Sequence, residues 1–229
     1  MPARTPLRSI RPRKKPSQDR SRRTVETLLE AATRVLERES LSGFTTNRVA
    51  EVAGVGIGSL YQYFPGKDAL VAALIARAQS ALADAVEDAV ERTRGQGLAE
   101  AIDALARVAV DHQYRRPALA AAIDHEERRL PVEPVLREAQ QRVVGAVAGL
   151  LDRCRGDLAP DLPDAAAQDC LAIAKALVDA QAAASRAPPP DLHGRVVRAV
   201  LGYLTMPRPP AEADGVPRPG AGRRHPRAS

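Results

Sequence analysis

The chain has 229 residues and a formal net charge of +6 that is unevenly spread. Residues 1–23 carry nine basic side chains against Asp19, a net +8; residues 207–229 carry five arginines against Glu212 and Asp214, a net +3; everything between is left at −5. No run approaches the ~20 uninterrupted apolar residues of a membrane span. The Arg-rich start also lacks the apolar core of a secretion signal, so a cytoplasmic protein without a membrane partner is expected.

A basic arm on a mildly acidic body favours a polyanionic partner, because clustered charge is what makes an electrostatic footprint. The Pro-rich composition of residues 1–18 and 207–229 also predicts disorder, which is compatible with phosphate contacts. Cys154 and Cys170 are too few for a disulfide framework and lack CxxC spacing, and are expected to be reduced, buried thiols. Lysine occurs only at Lys14, Lys15, Lys67 and Lys175, which makes the isolated Lys67 conspicuous.

Apolar residues at Val25, Leu28, Leu29, Ala32, Val35 and Leu36 predict a first helix over 24–39. Ser42-Gly43 stops it, and Phe44 returns the chain to the core. Thr45-Thr46 supplies an N-cap for a second short helix that ends at Gly54. A turn at Val55-Gly56 leads into a third helix over 57–64, broken by Pro65-Gly66 before a long amphipathic helix from about Lys67. Beyond it the Ala-rich sequence is punctuated at Gly95-Gly97, Arg116-Pro117, Pro131 to Pro134, Gly156 to Pro163 and Ala187 to Pro190. These breaks delimit about five further helices, and no period-2 pattern marks a strand. The expected fold is all-α: an arm over 1–18, a three-helix unit over 19–66, a larger helical domain over 67–206 and a tail over 207–229.

A helix-turn-helix needs a small residue where its helices cross, a Gly-permissive turn and an apolar seam. Ala50, Gly54, and Val49 with Val55 and Leu60 supply these in order. An ordinary αα-corner has the same packing needs, and on packing alone the two stay open. The run Thr45 to Leu70, TTNRVAEVAGVGIGSLYQYFPGKDAL, resembles the DNA-binding domain of the tetracycline-repressor (TetR/AcrR) family. The likeness covers about Arg22 to Leu74, with its LYQYF-P-x-K core the most specific part.

The resemblance implies a role for each side chain. Thr46 would donate to a backbone phosphate, and Asn47 would face base edges, where Asn can pair bidentately with adenine. Ile57 and Gly58 match base-facing positions, one reading a thymine methyl and the other allowing close approach. Ser59 and Tyr63 match phosphate-holding positions, and Tyr61 lies between phosphate and base. Lys67, opening the fourth helix, matches a phosphate-binding lysine. Gly56 stands where the family often has a capping Ser, a change worth only a few tenths of a kcal/mol, about 0.3.

Cys170, Ile173, Ala174, Leu177, Val178 and Gln181 form one helical face, and Leu192, Val196, Val200 and Tyr203 another. They resemble the family's two dimer-forming helices, although such faces serve an intramolecular core equally well. A homodimer is also expected because one short recognition helix gives little specificity by itself. The family's middle helices hold a small-molecule effector. His112, Tyr114 and His125 are the ligand-binding candidates, with Asp111, Asp124 and Glu126 nearby. His112, His125 and Glu126 fit no firm metal-ligand spacing, and no metal or cofactor is read. An enzyme is disfavoured because GxSxG, HExxH and P-loop patterns are missing. The expectation is a dimeric repressor released from a palindromic operator in double-stranded DNA by a small molecule. The alternative is a helical ligand-binding or adaptor protein that no longer binds DNA.

Overall fold

The computed structural model describes residues 19–207. Among the described residues there are nine α-helices and no strand. They are α1 (Asp19–Gly43), α2 (Thr46–Ala53), α3 (Ile57–Tyr63), α4 (Lys67–Arg92), α5 (Leu98–Tyr114), α6 (Pro117–Glu127), α7 (Glu133–Arg153), α8 (Ala166–Ala184) and α9 (Leu192–Thr205). The architecture is the all-α one expected. The arm at 1–18 and residues 208–229 of the tail lie outside the described residues.

Local chemistry explains the boundaries. Ser40 takes φ 58°, so regular α1 helix ends at Glu39, where the apolar periodicity also stops, and a separate turn runs on to Gly43. The Thr45 hydroxyl accepts the Arg48 N–H at 3.1 Å and caps α2. Gly54 ends that helix at φ 66°, a left-handed conformation that costs a side-chain-bearing residue energy. Helix α3 stops at Tyr63, one residue short of expectation, because Phe64 turns extended to enter the core.

Two apolar clusters organise the packing. The first gathers α1, α2, α3 and the first half of α4, including Leu28, Phe44, Leu60, Phe64 and Leu70, together with Ala122 and Ile123 of α6. Burying each large side chain contributes about 2 kcal/mol. The second gathers α5, α7, α8 and α9 around Val86 and Val90 in the second half of α4. On length and composition α4 could cross a membrane, but its apolar residues fill these two clusters.

The faces read from α8 and α9 divide. Cys170, Val178, Leu192, Val196 and Val200 are buried within their own chain, so these positions are core and not surface for a partner. Ile173, Ala174, Leu177, Gln181 and Tyr203 are only half-buried. Both cysteines are free and buried, and burial pushes the Cys170 thiol up to about 12.

Candidate nucleic-acid interface

Helix α3 turns Leu60 and Tyr63 inward and presents the opposite side to solvent. Ile57 is 37% and Tyr61 42% exposed, which makes them two of the three exposed large apolar side chains among the described residues. Ile57 and Tyr61 thus stand on the solvent side of α3, opposite its core contacts. Gly58 and Ser59 are exposed beside them. A Cβ built on Gly58 meets nothing within 4 Å, so the fold itself does not demand glycine there. Gly56 precedes α3 without a side-chain cap, as its sequence implies.

Helix α2 sets the edge of this face. The Thr46 and Tyr61 hydroxyls lie 3.2 Å apart, joining α2 to α3, and Asn47 is exposed alongside. Arg48, in contrast, is tied down: it pairs with Glu39 at 2.7 Å and Glu51 at 2.9 Å, locking α2 to the end of α1.

Two residues sit differently from a freely presented phosphate ligand. The Tyr63 ring is buried, and its hydroxyl donates to Ser21 Oγ at 3.4 Å, so it reaches the surface only where α1 begins. Lys67 Nζ donates to the Leu41 carbonyl at 3.1 Å and lies 5.6 Å from the Phe44 ring centroid. It therefore helps hold the α1–α2 connection against α4 as well as lying at the α4 N-terminus. Gln62, which the motif does not mark, is exposed four residues after Gly58, and that helical spacing alone places it on the same face. Arg22 and Arg23, which end the basic N-terminal run, are exposed on the first turns of α1 next to Ser21.

Helix α6 links this head to the rest of the chain. Arg116, at its start, lies 3.8 Å from Glu30 and 3.7 Å from Glu37 of α1. Arg129, just past its end, reaches Asp68 of α4 and the buried Glu126, both at 2.6 Å. The other side of α6 borders two clefts, of about 820 Å³ against α5 and α8 and about 750 Å³ against α4, α5, α7 and α8. His112 lines the smaller and Tyr114 the larger, with Asp111 also on the smaller. His125 is exposed and belongs to neither wall, and Glu126 is buried against Arg129 instead of facing a cleft. Burial lowers the His112 pKa, outweighing the opposite pull of Asp124. Among the described residues no three His, Cys, Asp or Glu side chains converge as a metal site.

Residues 28–74 match the family model for bacterial regulatory proteins of the tetR family, and residues 97–204 match the tetracyclin repressor-like C-terminal domain. Over 56 residues the chain is 39% identical to the HTH-type transcriptional repressor DrrR1 of Streptomyces coeruleorubidus, covering 24% of this chain and 21% of that protein. A TetR-family regulator from Mesorhizobium loti superposes with a TM-score of 0.66 at 18% identity, over 82% of this chain and 100% of that one. FadR from Bacillus subtilis, in complex with stearoyl-CoA, gives 0.65 at 16% identity over 78% and 98%. At such identities the structural likenesses speak for fold alone, but the two family matches together span most of the described chain. The chain belongs to the tetR family of transcriptional regulators, with a helix-turn-helix DNA-binding head and a larger helical C-terminal domain.

Proposed function

We propose that this regulator is a homodimeric repressor that occupies a palindromic operator and leaves it when a small molecule enters the clefts beside α6. The observation that carries the DNA reading is the solvent-facing side of α3, with Ile57, Gly58, Ser59 and Tyr61 flanked by Thr46 and Asn47. In this reading residues 19–66 form the reading head, and residues 67–206 the ligand and dimer domain. Lys67 and the Tyr63–Ser21 pair hold phosphates at its two ends. An α3 with Ile, Gly and Ser at its tip makes few bidentate base contacts, so shape readout and paired half-sites carry much of the specificity.

Dimerisation would use the half-buried Ile173 and Leu177 of α8 with Val197 and Leu201 of α9, since the deeper residues are already spent on the internal core. Coupling would run through α6, whose flanking Arg116 contacts the head and Arg129 the start of α4 just behind it, while the helix lines both clefts. A cleft ligand that binds the operator-free arrangement more tightly than the operator-bound one would shift the equilibrium between them. The stearoyl-CoA complex of FadR supports a small-molecule effector on this fold. Regulation proceeds by binding, without an enzymatic step, in the cytoplasm where the chromosome lies.

The test is selection of bound sequences from randomised duplex DNA at physiological salt, repeated with Lys67→Ala and Tyr61→Ala. The expected result is enrichment of one palindrome, weakened by both substitutions. No enrichment, or enrichment indifferent to both, would overturn the reading head and leave a ligand-binding helical protein.

A further inference from the structure

The two clefts share a wall formed by Gln113, Asp124, Glu127, Lys175 and Asp179. The carboxylate residues Asp124, Glu127 and Asp179 are partly buried, whereas Lys175, the cleft arginines Arg92, Arg115, Arg116, Arg128 and Arg186, and the cleft aspartates Asp88 and Asp111 are exposed at the rims, so the partly buried charge is all negative. Lys175 is also bonded to Asp179 at 2.9 Å, and Arg116 is engaged with Glu30 and Glu37.

The two inner carboxylates are held by neutral groups. Gln113 Nε2 donates to Asp124 at 3.1 Å, and Gln79 Nε2 donates to Glu127 at 3.0 Å. Among the described residues, neither forms an ion pair within 4 Å. His112 supplies no counter-charge at neutral pH, because burial holds its pKa below the ordinary value. Lys175, already bonded to Asp179, feels both carboxylates through space, but their direct hydrogen bonds come from amides alone, so each half-buried carboxylate keeps an attraction for a cation placed in contact with it. Beyond the wall the smaller cleft is lined by Leu82, Val108, Leu119, Ile123 and Leu171, and its 750 Å³ lies in the range of cavities that take drug-sized molecules. A second unspent group lies beside the larger cleft: the Tyr114 hydroxyl is buried and has no hydrogen-bond partner among the described residues, and its oxygen can accept an N–H.

We propose that the effector is an amphipathic amine, its protonated nitrogen set against Asp124 and Glu127 and its hydrocarbon part against the leucine-lined side of the cleft. This rests on the ligand-release reading above and narrows it to one ligand class. Anionic amphiphiles are disfavoured, since their charge would face the two carboxylates while Lys175 is bonded to Asp179 and every cleft arginine stays at a screened rim.

The experiment compares decylamine with decanoate, matched in chain length and oppositely charged at pH 7, by calorimetric titration of the full-length protein below micelle-forming concentration. Decylamine is expected to bind roughly tenfold or more tightly than decanoate. Asp124→Asn combined with Glu127→Gln is expected to remove that preference, while the rim substitution Asp88→Asn leaves it in place. Both inner replacements keep an oxygen for the Gln113 and Gln79 amides, and thermal unfolding checks the fold; if the double variant does not fold, the single Asp124→Asn is read instead. Equal binding of the two probes, a preference for decanoate, no decylamine binding, or a preference that survives the inner substitutions would overturn the assignment. Operator binding is followed in parallel. Decylamine that binds through Asp124 and Glu127 yet leaves the protein on DNA would refute ligand release while upholding the ligand class.

Discussion

Gly58→Ala separates folding from DNA reading because the two effects are expected to have opposite signs. The residue is helical and exposed, and a Cβ there meets nothing within 4 Å, so the substitution introduces no clash. Replacing glycine by alanine inside a helix is worth up to about 1 kcal/mol. Gly58 is the second residue of a seven-residue helix, where the gain is smaller, about 0.5 kcal/mol. For a protein of this size that raises Tm by roughly 1–2 °C. On DNA the same methyl is expected to occupy the space through which the helix approaches the base edges, and a lost close contact costs about 1–3 kcal/mol, or roughly fivefold to 150-fold in affinity per reading head. The assays are thermal unfolding of the free protein and fluorescence anisotropy on the selected operator at fixed salt. A more stable protein with unchanged operator affinity would refute the placement of α3 against DNA. A destabilised one would refute the open space around Gly58.

Lys67→Ala is expected to act twice: losing the Leu41 hydrogen bond and the Phe44 contact lowers stability by about 1 kcal/mol. Losing a phosphate contact reduces the slope of log affinity against log salt by about 1 per head; an unchanged slope would leave Lys67 a structural residue only. Arg129→Ala strips the buried Glu126 of its ion-pair partner and releases α6 from Asp68, and a destabilisation of about 2–4 kcal/mol in urea unfolding is expected. A loss below about 0.5 kcal/mol would show that α6 is not anchored there. His112 has a folded pKa below its unfolded value, so the unfolded chain binds its proton first. The resulting stability is present above about pH 6.5 and is lost as pH falls through the depressed folded value. Denaturation at pH 7.5 and 5.5 should show this loss, and His112→Gln should flatten that part of the profile.

Much of the head was legible because its boundaries are set by local chemistry. Thr45 as a cap, Gly54 as a left-handed stop and Pro65-Gly66 as a break act within a few residues, and the chain behaves as those residues require. The five later helices likewise fall between Gly and Pro breaks. What escaped was set by contacts far apart in sequence. Lys67 bonds a carbonyl 26 residues earlier, and Tyr63 a serine 42 residues earlier; no periodicity encodes either. The apolar faces of α8 and α9 show only that something covers them, and tertiary packing gave Cys170, Val178, Val196 and Val200 to their own core. His125 was drawn in by its neighbours in sequence, but the turn of α6 puts Asp124 on the cleft wall and His125 in solvent.

The most direct measurement of the DNA-reading claim repeats the selection from randomised duplexes with Ile57→Asn, which exchanges a side chain proposed to read a thymine methyl for one able to pair with adenine. The expected result is a palindrome whose preferred base changes at one symmetry-related pair of positions and is otherwise retained. An Ile57→Asn protein that folds, binds and selects the original sequence at every position would contradict it, because α3 would then not be the element that faces the bases.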